Sequence, residues 1–286
     1  FVPASQPPVV AHGVTGDLWG QPMLAWLFGA APSQYGWLGV VSGASLVFFA
    51  FLGFDVVATS AEEVKDPQRT LPRGILGGLA LVTVLYILVT LALTGMVPYT
   101  ELAKAENPSL ATAFIAVGAG WAAQVISVGV LIGMTTVVMV LLMGSSRVLL
   151  ALCRDGLLPR SWGVTSATRK TPVRLQLIVG AVVAVLAGFT KVELLEEMIN
   201  IGTLSAFVMV SIGVLVLRKK RPQATGGYRV PFVPVLPVLS ALLCTYLMLN
   251  LTTLTWVRFL GWMALGVVIY MVYGMRYSRL AQASKK

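Results

Sequence analysis

Long apolar segments constrain this chain more than any other feature of its sequence. Each of the seven segments is close to the length of a helix that crosses a hydrocarbon layer of about 30 Å. The sequence therefore predicts an all-α integral membrane protein with seven spans. The segments cover residues 37–60, 74–97, 121–147, 173–189, 194–217, 232–251 and 257–275.

The composition agrees with this prediction. Hydrophobic residues make up 57% of the 286 residues and charged residues only 11%, whereas about 25% of the residues in a soluble domain are charged. A soluble globular domain is therefore poorly supported. The apolar stretch 110–120 is too short to cross the membrane, and we predict a re-entrant or interfacial helix there.

The distribution of basic residues predicts the direction of the spans. If the spans alternate, all 21 Lys and Arg residues except Lys104, Lys191 and Arg258 fall on one side. Cytoplasmic loops retain Lys and Arg, so we predict that the chain starts outside and ends in the cytoplasm. We expect the protein in the plasma membrane. The net charge of +10 then reflects topology, and no nucleic-acid partner is expected.

Several functional classes find no support in the sequence. Motifs of hydrolases, zinc peptidases, phosphate-binding loops and dinucleotide sites do not occur in a suitable context, so we expect no enzyme, catalytic residue or cofactor. His12 is the only histidine, and Cys153 and Cys244 lie far apart in apolar segments. Neither a metal site nor a disulfide is expected from these residues.

The first apolar segment contains the main candidate site. Asp55 lies well inside it, and a charge at membrane depth suggests a functional site, although backbone amides at a helix end could also satisfy it. Gly53 and Asp55 tolerate non-helical backbone, so we expect the helix to break around residues 51–55. A break frees backbone carbonyls that could accept hydrogen bonds from a substrate ammonium group.

Two later spans carry weaker candidates. Met134 and Thr135 could present an apolar surface and a hydroxyl to a substrate, although such residues more often pack helices together. Asn200, Thr203 and Ser205 are expected to hydrogen-bond between helices rather than to line a pocket.

Several ordered motifs resemble amino acid permeases of the amino acid, polyamine and organocation superfamily. One of them, YRVPFVPVLPVLS at 228–240, resembles the entry into the late helices. The similarity is greatest to the cationic amino acid transporter branch and its bacterial relatives. The broken sixth helix and following loop of that branch resemble FFAFLGFDVVATSAEEVKDPQRTLPRGI at 48–75. The end of its eighth helix resembles SRVLLALCRDGLLP at 146–159, and its tenth helix resembles INIGTLSAFVMVSIGVLVLR at 199–218.

The resemblance implies a five-plus-five, LeuT-like inverted-repeat transporter fold with two further helices. Residues 37–231 would form the second repeat, and 232–277 the last two helices. Residues 1–36 would be an external connection and 278–286 a basic cytoplasmic tail. Because the chain starts with Phe1 rather than Met, we expect the five N-terminal helices of the same transporter upstream.

The resemblance also implies an amino acid substrate, bound in the middle of the lipid bilayer. Its amino group would meet the backbone carbonyls of Phe49, Ala50 and Leu52 around Gly53, with Asp55 beside the pocket. Its side chain would lie near the third span. The implied substrate-binding residues are Phe49, Ala50, Phe51, Leu52, Gly53, Asp55, Met134 and Thr135.

The favoured interpretation is the C-terminal portion of a secondary amino acid transporter that works by alternating access. A preference for cationic amino acids and coupling to protons stay open. One alternative is a seven-span receptor or photoreceptor, although the last span has no lysine for a retinal Schiff base. Another is a structural subunit that does not transport.

Overall fold

The computed structural model describes residues 22–28, 36–59, 64–102, 109–165, 171–220 and 232–275. The predicted cytoplasmic tail and most of the predicted external connection lie outside the described residues. Within the described ranges the chain is helical, with turns and an isolated antiparallel bridge between Pro22 and Thr252. This confirms the all-α prediction for that part of the chain.

The described residues form eleven α-helices, one 3₁₀ helix and one π-helical turn. The 3₁₀ helix, Phe48–Phe51, directly follows α2, and the π-helical turn, Tyr270–Gly274, directly follows α11. The α-helices are α1 (Met23–Phe28), α2 (Gly36–Val47), α3 (Val56–Thr59), α4 (Pro67–Met96), α5 (Tyr99–Leu102), α6 (Leu110–Ala116), α7 (Gly120–Arg154), α8 (Val173–Phe189), α9 (Val192–Lys220), α10 (Val235–Leu249) and α11 (Thr253–Ile269).

Helices lie in all seven predicted apolar segments. Four are long and apolar enough to cross a membrane: Pro67–Met96, Gly120–Arg154, Leu194–Lys220 and Thr253–Gly274. The helices in the remaining three segments are shorter, and the first of them is interrupted. The structure thus supports an integral membrane protein, and seven crossings stay a prediction.

Local sequence explains several helix starts. Pro67 occupies the first turn of α4, where the N–H that proline lacks would have no helical partner. The Ser109 side chain caps α6 by accepting a hydrogen bond from the Thr112 amide. Thr252 caps α11 in the same way through the Thr255 amide. Side-chain oxygens at these positions satisfy amides that the helix leaves unpaired.

The chain divides into two compact units. The first unit comprises Phe1–Leu52, Cys153–Arg160 and Ala181–Lys286. Within it α9 packs against α10, α11 and α2. The buried centre of this packing is apolar and consists of Ile201, Leu204, Met248 and Leu251.

The second unit comprises Gly53–Leu152 and Ser161–Gly180. Within it α4 contacts α3 and α6. The longest apolar stretches of α4 and α7 are unburied, and their exposed side chains include Leu81 and Leu131. Such a broad exposed apolar surface suits contact with lipid or with further apolar helices.

Candidate functional site

The predicted break region is a turn between two short helical pieces. The 3₁₀ helix Phe48–Phe51 ends at Leu52, whose backbone is extended with a ψ of 147°. Gly53 follows with a φ of 118°, a conformation that side chains with a Cβ rarely adopt. The sequence places glycine where the chain needs it, and α3 starts three residues later at Val56.

Hydrogen bonds hold this turn together. The Leu52 amide donates to the Phe49 carbonyl at 3.1 Å, and the Val56 amide donates to the Gly53 carbonyl at 3.2 Å. A carbonyl oxygen has a second lone pair, so Phe49 can still accept a further bond. The Leu52 carbonyl oxygen likewise has two lone pairs. The carbonyls of Phe49 and Leu52, two of the predicted substrate contacts, can therefore accept further hydrogen bonds.

Asp55 folds back onto the turn. Its Oδ1 atom accepts a hydrogen bond from the Gly53 amide at 3.2 Å, and the side chain is exposed. The carboxylate thus bonds the amide that precedes it rather than an amide in the first turn of α3. This bond ties the positive-φ glycine to the start of the downstream helix.

The helix before the turn is anchored in the first unit. Asn200 is fully buried on α9, and its Nδ2 atom donates to the Ser45 carbonyl at 3.5 Å, a long bond. The rings of Phe48 and Phe207 meet edge to face, with centroids 6.0 Å apart. The prediction that Asn200 bonds between helices is confirmed. Ser205 differs, because its hydroxyl bonds the Gly202 carbonyl of its own helix.

The helix after the turn is positioned by steric fit in the second unit. Gly144 of α7 is buried, and a Cβ built on it would lie 2.7 Å from Cγ1 of Val56. Real Cβ contacts are essentially never that short, so only glycine admits this approach. The first residue of α3 therefore touches the backbone of α7.

Met134 and Thr135 lie further along α7. Met134 is about 15 Å along the helix axis from Gly144, and 63% of its surface is exposed. The Thr135 hydroxyl donates to the Leu131 carbonyl of its own helix at 2.9 Å. The second unit therefore does not enclose these side chains, and their contact with a substrate stays a prediction.

The predicted site residues divide between the two units. The four residues from Phe49 to Leu52 belong to the first unit, whereas Gly53, Asp55, Met134 and Thr135 belong to the second. The chain passes from one unit to the other within the turn.

Comparison with known proteins identifies the family. Residues 9–274 match the sequence model of the family described as Amino acid permease. The chain belongs to the amino acid permease family. This membership confirms the resemblance to the amino acid, polyamine and organocation superfamily, and the relatives are transporters or permeases rather than enzymes.

The individual relatives of this permease are named for different substrates. It is 46% identical over 246 residues to a methylthioribose transporter of Bacillus subtilis and 43% identical over 247 residues to the branched-chain amino acid permease BcaP of the same organism. Each match covers 86% of this chain and 53% of the relative. The vacuolar cationic amino acid transporter 4 of Arabidopsis thaliana is 29% identical over 90% of this chain and 62% of its own length. The chain thus spans about half the length of the first two relatives.

The permease has a polar cluster at the starts of α9 and α11 that the pattern of apolar residues did not predict. The hydroxyls of Thr252 and Thr255 both donate to Oε2 of Glu197, the first at 2.8 Å. Thr255 is fully buried. The available signal was an acidic residue in the first turns of a span together with a Thr-x-x-Thr helix start. The cluster fixes the start of α11 against α9.

Proposed function

We propose that the chain is the C-terminal portion of a secondary amino acid transporter that works by alternating access. Family membership supports the transport class, and the match to about half of each bacterial relative supports a longer protein. In this proposal five further helices of the same transporter complete the substrate site. A receptor or a structural subunit is less well supported, because the relatives are named for transport.

The turn at 52–55 carries the proposal for the substrate site. Its backbone offers acceptors in an otherwise apolar segment, and irregular backbone at membrane depth is tolerated where it lines a cavity. We assign the substrate amino group to the carbonyls of Phe49, Ala50 and Leu52. Asp55 would lie beside this group and hold the turn, and Phe51 is a further proposed contact. Met134 and Thr135 would map near the side-chain end of the substrate.

The topology proposed for the chain is the second five-helix repeat followed by the last two helices of a LeuT-like fold. Support comes from the helices in all seven apolar segments and from the basic residues that follow alternate spans. The chain would start outside and end in the cytoplasm of a plasma-membrane protein. The helix at 110–116 would be re-entrant or lie at the membrane interface.

A second candidate substrate class comes from the relatives. A methylthioribose transporter and a branched-chain amino acid permease are similarly related to the chain. Methylthioribose has no ammonium group, so its recognition would not need the carbonyl acceptors of the turn. Recognition of an amino acid would therefore depend on these carbonyls, whereas recognition of methylthioribose would not.

Uptake into proteoliposomes tests the proposal. The full-length protein is given labelled leucine, arginine or methylthioribose, with and without a proton gradient. We expect uptake of an amino acid, and the gradient arm tests proton coupling. Uptake of methylthioribose alone would support the second candidate, and uptake of none of the three would contradict the transporter proposal.

Two substitutions at Asp55 test its role in the same assay. Asn can still accept the hydrogen bond from the Gly53 amide, whereas Ala cannot. A net hydrogen bond is worth about 1 kcal/mol, which corresponds to about fivefold in an equilibrium. We therefore expect Asp55→Ala to reduce uptake about fivefold and Asp55→Asn to keep most of it. Equal losses in both variants would contradict this positioning role.

A further inference from the structure

A groove runs along the second half of α9. Its volume is about 520 Å³, and it is a shallow, largely open depression on one helix. The lining residues are Met209, Ile212, Gly213, Val216, Leu217 and Lys220. Their spacing of three and four residues places them on one face of the helix.

Glycine makes the floor of this groove. Gly213 has no side chain, and a Cβ built on it would meet no atom within 4 Å. On either side along the helix, Met209 and Leu217 are 62% and 55% exposed. This part of the groove is therefore open and apolar, and a flexible hydrocarbon chain can lie along it.

The length of the groove matches one leaflet of a bilayer. An α-helix rises 1.5 Å per residue, so Met209 and Lys220 lie about 16 Å apart along the axis. Half of a hydrocarbon layer of about 30 Å is about 15 Å. One end of the groove then reaches the middle of the membrane and the other end reaches the headgroup level.

The headgroup end is strongly basic. Arg218, Lys219 and Lys220 occupy the last turn of α9. Among the described helices, α7 also has a basic last turn, but that turn contains only one basic residue, Arg154. Lys220 lines the groove and is exposed, so its ammonium group can reach a phosphate while its stem stays on the apolar surface.

We propose that this groove binds one anionic glycerophospholipid. An acyl chain lies along Met209, Gly213 and Leu217, and the phosphate of the headgroup pairs with Lys220. A purely apolar occupant, such as a helix of a second copy, would leave the lysine at the groove end without a counter-charge. Clusters of basic residues at the end of a membrane helix attract anionic lipids. The site is independent of the substrate turn and of transport itself.

Native mass spectrometry of the full-length protein tests this site. The protein is purified in detergent and mixed with equal amounts of phosphatidylglycerol and phosphatidylcholine. We expect one retained phosphatidylglycerol in excess over phosphatidylcholine. Lys220→Gln removes one charge, and we expect the ratio of the two retained lipids to fall about fivefold. Lys220→Glu should lower it further.

Two matched pairs separate the groove from general lipid contact. Gly213→Phe fills the groove floor and should abolish the retained phosphatidylglycerol. Gly266→Phe, at a glycine of α11 that also has open space, should keep it. Lys191→Glu, just before the first residue of α9, should leave the lipid ratio unchanged. Because the ratio is measured within each sample, partial loss of folded protein does not alter it.

Three results would overturn the proposal. The first is equal retention of the two lipids by the unsubstituted protein. The second is a lipid ratio that Lys220→Glu and Gly213→Phe leave unchanged. The third is a dimer that Gly213→Phe dissociates in the absence of lipid, because a second copy would then occupy the groove.

Discussion

The two pieces of the interrupted helix are held in different ways. The upstream piece, Gly36–Phe51, is anchored by the Asn200 amide and by the edge-to-face contact of Phe48 with Phe207. The downstream piece, Val56–Thr59, is only four residues long and abuts Gly144. Directional contacts thus fix one side of the turn, and steric fit fixes the other. A substitution that adds volume should affect the downstream side more than the upstream side.

The turn between the two pieces should be the most sensitive position. Gly53→Ala forces a side chain into a backbone with a φ of 118°, and such strain costs about 1–3 kcal/mol. We expect uptake by the full-length protein to fall at least about fivefold. Gly118→Ala is the matched control, because Gly118 has a φ of 81° outside the site. Similar loss of uptake in both variants at equal protein amounts would contradict a special role for the turn.

The downstream contact comes next. Gly144→Ala places a methyl group 2.7 Å from Val56, and overpacking costs about 1–3 kcal/mol. We expect a lower melting temperature of the purified protein. Val56→Ala in the same molecule should restore most of it, because the two side chains then fit. Gly133→Ala, where a Cβ meets nothing within 4 Å, should change the melting temperature little. Absence of rescue by Val56→Ala would show that this contact does not position α3.

The upstream contact should give the smallest effect. Asn200→Ala removes the 3.5 Å bond to Ser45, but it also removes an Oδ1 atom that has no partner among the described residues. The loss of a long bond and the relief of an unsatisfied acceptor oppose each other. We expect a drop in melting temperature smaller than that of Gly144→Ala. A larger drop would reverse the comparison between the two pieces.

The apolar segments predict where the helices lie better than where they end. The third predicted span stops at Arg147, whereas α7 continues to Arg154. Hydropathy detects residues that suit hydrocarbon, and a helix can continue beyond it into the polar interface. The second predicted span starts at residue 74, but α4 starts at Pro67, because proline suits a first helical turn.

The turn itself could be predicted, but its anchors could not. Gly53 and Asp55 signal non-helical backbone through their own chemistry. The bond from Asn200 to Ser45 joins residues 155 positions apart, and the approach of Gly144 to Val56 depends on how two helices pack. In neither pair does the sequence around one residue predict which residue it will contact. The Glu197 cluster had a partial signal in the acidic residue and the Thr-x-x-Thr helix start, but the sequence does not show that the two meet.

The central claim is that the turn at 52–55 recognises the amino group of a transported amino acid. The most direct measurement is competition in proteoliposomes that take up the best-transported labelled amino acid of the panel. The competitors are the same unlabelled amino acid and its analogue without the amino group. We predict that the amino acid inhibits uptake and that an equal excess of the analogue does not. Equal inhibition by both compounds would contradict the claim.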